Sequence, residues 1–232
     1  MSDPAVHAAA AKAIELISDG AKVGLGSGRA VAVFIAKLGQ LQRDGMRTIC
    51  VCASTASTHL AREAGLSVAE LREAGPLDLT VDGADEVAPN LDLLKGRGGA
   101  MVRERIVAAA AKSQVIIVGD DKLVRCLGEQ GAIALEVIPM AEALVASRVE
   151  ALGLAPRLRL DRHGSRPSVT DNGNLIIDCA LGAPLRDELA ARELERALLE
   201  IVGVVDTGLF LGTADRVFVG YADGHAAELV RA

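Results

Sequence analysis

Aromatic rings are nearly missing from this chain: one tyrosine, three phenylalanines and no tryptophan occur among 232 residues. A core built on stacked rings is excluded, so the hydrophobic fraction of 50% has to pack through Ala, Val, Leu and Ile, as in layered α/β proteins. Basic blocks are also missing, and a net charge of −6 with a pI near 5.3 argues against a nucleic-acid surface and for a small-molecule partner. Apolar runs such as Ile106 to Ala111 are far too short to cross a bilayer. Asp3 and Glu15, with only Lys12 between them, fit neither a signal peptide nor a transit segment. A cytoplasmic location and no membrane partner are therefore expected. The four histidines, His7, His59, His163 and His225, are scattered and form no nucleophile motif, which weakens any hydrolase triad. The four cysteines, Cys50, Cys52, Cys126 and Cys179, read as buried free thiols rather than metal ligands. Cys50 and Cys52 are expected on opposite faces of one strand.

What is present is alternation. Ala8 to Ile17 reads as a helix, Val23 to Leu25 as a strand entering the turn Gly24-Leu25-Gly26-Ser27-Gly28, and Ala30 to Leu38 as the next helix. Thr48 to Cys52 is a strand, followed by a hydroxyl-rich turn and a helix ended by Gly65. Leu77 to Val81, a helix from Ala100 to Lys112, and the β-rich run Val115 to Val118 continue the pattern. Such alternation predicts a mainly parallel sheet covered by helices on both faces. After about Gly131 the rhythm becomes β-α-β-β-α-β, with Ile133 to Val137, Met140 to Leu152, Arg157 to Leu160, Leu175 to Cys179, Leu185 to Ile201 and Val204 to Leu209. Asn172-Gly173 marks a hairpin turn between its central strands. The expected class is α/β: a Rossmann-like, mainly parallel lobe over 1–130 and 206–232, and a smaller ferredoxin-like α+β lobe over 131–205. Arg216 to Tyr221 is expected to return to the first lobe's sheet.

Three segments carry chemistry. The turn Gly24 to Gly28 lies between strand and helix, where free N–H groups and the helix dipole favour an anion, and Arg29 strengthens a phosphate reading. Arg29 and Val31 stand where a dinucleotide motif would need glycine. Asp82 and Asp85 flank Gly83 and Ala84 at the end of a strand, and Glu86 adjoins them. Solvated turn carboxylates, a pair facing one cavity, and a divalent cation site all remain open for this pattern. Lys95, Gly96, Arg97, Gly98 and Gly99 precede a helix whose first turn holds Glu104. Glycine N–H groups can stabilise an oxyanion, and Glu104 is either a base or a residue satisfying the helix dipole. Lys122, just past Val115 to Val118, could reach the same sheet edge or be an ordinary surface lysine.

Taken together, these motifs resemble the A-type ribose-5-phosphate isomerase family nearly end to end. The resemblance rests on the G-x-G-[ST]-G turn, D-G-A-D-E at 82–86, K-G-x-G-G-A at 95–100 followed by R-E, E-V-I-P-M at 136–140, T-D-N-G-N at 170–174 and G-V-V-x-T-G-L-F at 203–210. It implies cofactor-free interconversion of ribose 5-phosphate and ribulose 5-phosphate through an enediol or enediolate, with no metal. It also implies a homodimer or homotetramer. By motif, Glu104 is the base, Lys95 and the backbone of Gly96 to Gly99 stabilise the enediolate oxygen, and Asp82 and Asp85 handle hydroxyls and ring opening. Lys122 with Ser27, Gly28, Arg29 and Ala30 would hold the phosphate or other substrate oxygens. Two residues depart from the family pattern. Arg29-Ala30 replaces a hydroxyl pair, and Arg97 replaces a glycine, tolerable if only its N–H faces the substrate. Two rival readings are an acyl-CoA transferase-like enzyme with a glutamate nucleophile and a non-catalytic sugar-phosphate sensing module.

Overall fold

Short strands and helices alternate through the first half of the chain as the apolar pattern requires. The computed structural model describes residues 3–231. Its elements are α1 (Pro4–Ile14), β1 (Ala21–Leu25), α2 (Gly28–Arg43), β2 (Thr48–Cys52), α3 (Thr55–Glu63), β3 (Ser67–Val68), α4 (Leu71–Ala74), β4 (Leu79–Asp82), β5 (Glu86–Val87) and β6 (Leu93–Leu94). They continue with α5 (Met101–Ala109), β7 (Gln114–Gly119), β8 (Ile133–Val137), α6 (Glu142–Ala151), β9 (Ala155–Leu158), β10 (Leu175–Ala180), α7 (Glu188–Leu199), β11 (Val204–Thr207), β12 (Leu209–Phe210), β13 (Arg216–Gly220) and β14 (Ala226–Val230).

The chain divides into two units. The first comprises the residues up to Ala84, Arg103–Leu123, and those from Thr213 onward. Its sheet has the order β14-β13-β7-β4-β1-β2-β3, parallel throughout except for the β13–β14 pair at one edge. Val23, Leu25, Val81, Val115 and Ile117 pack with α1 and α2 residues such as Ala9, Ala13, Phe34 and Leu38. On the opposite face Val51 and Leu77 pack with Val107 of α5. Burial on both faces explains why these strands read as continuous apolar runs. The chain goes from β1 to β2 on one side and returns to β4 on the other. The crevice at the carboxyl ends of β1 and β4 is therefore the topological switch point.

Two sequence expectations change here. Helix α1 starts at Pro4, because Asp3 caps it by accepting a hydrogen bond from the Ala5 N–H at 3.1 Å. A proline at the first helical position suits that start. Cys50 and Cys52 do not split across the sheet. Positions two apart on a strand share a face, and both thiols pack with the first core while Val51 between them joins the other. Burial pushes the Cys50 thiol up to about 12.

The second unit comprises Asp85–Val102 and Val124–Gly212. Its antiparallel sheet has the order β11-β8-β10-β9 and, with α6 and α7, completes the ferredoxin-like pattern. Leu135, Val137, Ile177 and Cys179 pack with Val145 and Val149 of α6 and Leu198 of α7. A small sheet, β12-β6-β5, completes the unit. Residues 85–102, 124–130 and 206–212, expected with the parallel lobe, group here instead. The reason is pairing that leaves no local trace: β6 joins β12 from more than a hundred positions later, and the Glu86 carboxylate accepts the Gly128 and Gln130 N–H groups at 2.6 and 2.7 Å.

Candidate active site

In the first unit, the loops at the switch point are shaped by two glycines. A Cβ on Gly24 would lie 2.5 Å from Val107 Cγ1 and 2.7 Å from Thr80 Oγ1, so the strand and α5 approach more closely than any side chain permits. A Cβ on Gly26 would overlap the carboxylate of Asp82 itself. That carboxylate, at the end of β4 and 2% exposed, accepts the Gly83 N–H at 2.7 Å and the Ser27 N–H at 3.2 Å through Oδ1.

Ser27 occupies the cap position of α2, with φ −136° and ψ 174°, yet its side chain makes no cap hydrogen bond. Its Oγ instead donates to Glu104 Oε1 at 2.5 Å. Glu104 lies in the first turn of α5 and is 6% exposed. The sequence-predicted residues Ser27, Asp82 and Glu104 are thus joined in one hydrogen-bonded chain. Gly28, at φ +86°, and Arg29 are exposed at the start of α2, and Ala30 is half-buried. Lys122 lies in the turn after β7, with its ammonium 2.7 Å from Asp121 Oδ2.

In the second unit, Asp85 donates its N–H to the Leu94 carbonyl at 2.8 Å, and its Oδ2 accepts the Arg97 N–H at 3.0 Å. The Arg97 N–H, expected to face the substrate with the side chain pointing outward, is engaged by Asp85 in this structure. The exposed Arg97 side chain also approaches Asp85, with Nε 3.8 Å from Oδ1. Lys95 is 4% exposed. Its N–H donates to the Gly208 carbonyl at 2.8 Å, and its ammonium stands 5.4 Å from the centre of the Phe210 ring, within cation–π range. Gly96 has φ +113°, and a Cβ there would lie 2.7 Å from Ala134 Cβ. Only glycine serves at that position. Gly98 is exposed.

Glu86, grouped with the aspartates in sequence, is fully buried and serves as the acceptor for the 128–130 loop. Sequence reasoning did not single out Phe210, Arg159 or Asp178. The first lies within the G-V-V-x-T-G-L-F motif, which was a findable signal. The other two carry none, since their partners lie far away in sequence. Among the described residues no group of three or more His, Cys, Asp or Glu side chains is arranged around a metal ion, and no helix is long and apolar enough to cross a membrane.

A buried glutamate held by a serine hydroxyl at the switch point of a mainly parallel sheet is the equipment of an α/β enzyme that moves a proton. The family model for ribose 5-phosphate isomerase A (phosphoriboisomerase A) matches residues 49–224. The chain is 44% identical over 225 residues to the ribose-5-phosphate isomerase A of Deinococcus radiodurans, covering 96% of each sequence. It is 42% identical to that of Thermomicrobium roseum over 96% of this chain and 92% of the relative. Among solved structures, ribose 5-phosphate isomerase A from Methanocaldococcus jannaschii superposes with a TM-score of 0.90 at 35% identity, over 97% of both chains. A D-ribose-5-phosphate isomerase in complex with phospho-erythronic acid superposes with a TM-score of 0.91, also at 35% identity and 97% coverage of both. The chain belongs to the ribose 5-phosphate isomerase A family.

Proposed function

We propose that this protein interconverts D-ribose 5-phosphate and D-ribulose 5-phosphate, with Glu104 as the base. The observation that carries the assignment of the base is the Ser27 Oγ to Glu104 Oε1 hydrogen bond at 2.5 Å, which fixes a buried carboxylate at the sheet's ligand-binding edge. Glu104 takes the proton from C2 of the open-chain aldose, and the electron pair moves into an enediolate. A proton passes from O2 to O1, and the same carboxyl returns its proton to C1 as the electron pair forms the C2 carbonyl of the ketose, so no net proton is gained or lost. Lys95, with the backbone N–H groups of Gly96 and Gly98, stabilises the enediolate oxygen; the Arg97 and Gly99 N–H groups, taken by Asp85 and by the Gly96 carbonyl, contribute none. Asp82 and Asp85 handle the sugar hydroxyls and ring opening. Ser27, Gly28, Arg29, Ala30, Gly83, Ala84 and Lys122 complete substrate binding, with Arg29 supplying a guanidinium for the phosphate. A cytoplasmic location, a place in the non-oxidative pentose phosphate pathway and assembly as a homodimer or homotetramer belong to the same proposal, and light scattering on the purified protein tests the assembly.

The test is to incubate the purified protein with ribose 5-phosphate and EDTA and to follow ribulose 5-phosphate. Steady formation of ketose is expected, and its absence would overturn the reading. Glu104→Gln should slow turnover by about 10²–10⁴-fold, the usual contribution of a positioned base. A Glu104→Gln variant with the wild-type rate would move the base elsewhere.

A further inference from the structure

We infer that Arg159 is a positioning residue for the glycine loop, holding its peptide planes in the orientation that an enediolate oxygen requires. This rests on the isomerase reading above. Arg159 follows directly after β9, and its backbone is fixed on both sides: its N–H donates to the Ile176 carbonyl at 2.8 Å, and its carbonyl accepts the Ser168 N–H at 2.8 Å. Asp178 on β10 then grips the guanidinium in a two-pronged pair, Nε to Oδ2 at 2.9 Å and Nη2 to Oδ1. A fork held in this way has little freedom left.

The remaining nitrogen, Nη1, donates to the Gly96 carbonyl at 2.7 Å and to the Arg97 carbonyl at 3.2 Å. In a trans peptide the carbonyl and the following N–H point in opposite directions. The 96–97 peptide is therefore gripped from both sides, its carbonyl by Arg159 and its N–H by Asp85 Oδ2 at 3.0 Å. The 97–98 carbonyl is drawn toward Arg159 as well, which turns the Gly98 N–H away from the guanidinium. The Gly96 carbonyl also accepts the Gly99 N–H at 3.0 Å, which closes the turn, and the Arg159 fork adds a hold from outside on a glycine-rich backbone that has many accessible conformations. Arg159 touches no substrate atom in this account; it acts through the loop.

The test measures kcat and KM for ribose 5-phosphate in Arg159→Ala, Asp178→Asn and the double variant, beside the wild type. Each single change should lower kcat by about 10–100-fold, the scale expected when a reacting group is misplaced by about 1 Å, with KM within about threefold. The double variant should be little worse than either single one, because both remove one clamp. Millimolar guanidinium should restore kcat to Arg159→Ala, a response that a general loss of folding cannot give. Wild-type kcat in Arg159→Ala, or a loss that guanidinium does not restore, would overturn the inference. Wild-type protein that forms no ketose would instead overturn the isomerase reading, and this role with it.

Discussion

Replacing Ser27 separates two physical roles that the same residue could play. A serine at a helix cap ordinarily stabilises the helix, and its loss to alanine costs about 1 kcal/mol of stability. Here the side chain makes no cap bond and donates a hydrogen bond to Glu104 Oε1 at 2.5 Å. A hydrogen bond to a charged group is worth about 1.5–3 kcal/mol. If that energy goes into holding the base, Ser27→Ala should lower kcat/KM by roughly 10–150-fold, at 1.36 kcal/mol per tenfold. Threonine keeps the hydroxyl and tolerates extended backbone, so Ser27→Thr should retain most activity. Aspartate is as good a cap as serine but places a carboxylate against Glu104, so Ser27→Asp should be less active than Ser27→Ala. The assay is initial-rate formation of ribulose 5-phosphate, with a thermal melt of each variant to establish that it is folded at the assay temperature. Activity within twofold of wild type in Ser27→Ala would refute the reasoning, as would an active Ser27→Asp, since both outcomes would make Ser27 a cap and nothing more.

Three further outcomes are expected. Glu86→Gln replaces one of two buried acceptor oxygens with a donor facing the Gly128 or Gln130 N–H and should cost about 2–4 kcal/mol, a melting decrease of roughly 5–10 °C; a melting curve matching wild type would show that the carboxylate does not hold that loop. Burial raises the Cys50 and Cys179 thiols to about 12, so neither should react with a disulfide reagent at pH 8 in the folded protein, whereas all four cysteines should react after unfolding; rapid labelling of either residue in the native state, read by mass spectrometry, would contradict their packing. The Asp78 carboxyl is held below the ordinary carboxylate range by the Lys22 N–H and the Lys112 ammonium. Its stabilisation is complete above the unfolded value of about 3.9 and is lost as pH falls through the lower folded value. With Asp78 43% exposed, Asp78→Asn should flatten acid-side stability by at most about 1 kcal/mol, and a denaturation series from pH 6 to pH 2 with unchanged slope would exclude it.

Much of the fold was legible because its determinants are local. Strands such as Thr48–Cys52 and Ile133–Val137 have the expected bounds, since β-rich runs bounded by polar or turn residues define their own ends. Elements whose stability comes from distant partners escaped: β5, β6 and β12 are two residues each and exist because they pair with one another. Strand β14 was missed for a similar reason, as its residues are mostly exposed and only pairing with β13 makes it a strand. Glu104, Lys95 and both aspartates were readable as candidates from residue type and spacing. The use of each carboxylate was not. Adjacent positions in D-G-A-D-E diverge: Asp82 orders the Ser27 turn, Asp85 holds the Arg97 N–H, and Glu86 supports a loop more than forty positions away.

The sequence by itself determined the chemistry available to this protein: a glutamate in a helix's first turn, a lysine before glycines, aspartates at a strand end and a glycine turn suited to phosphate. Those assignments follow from backbone freedom, charge and periodicity, which act over a few residues. Tertiary structure alone decided that Ser27 holds Glu104 from 77 positions away and that Arg159 clamps the Gly96 carbonyl from 63. Partners at such separations are selected by how sheets and loops pack, and no local propensity records that choice.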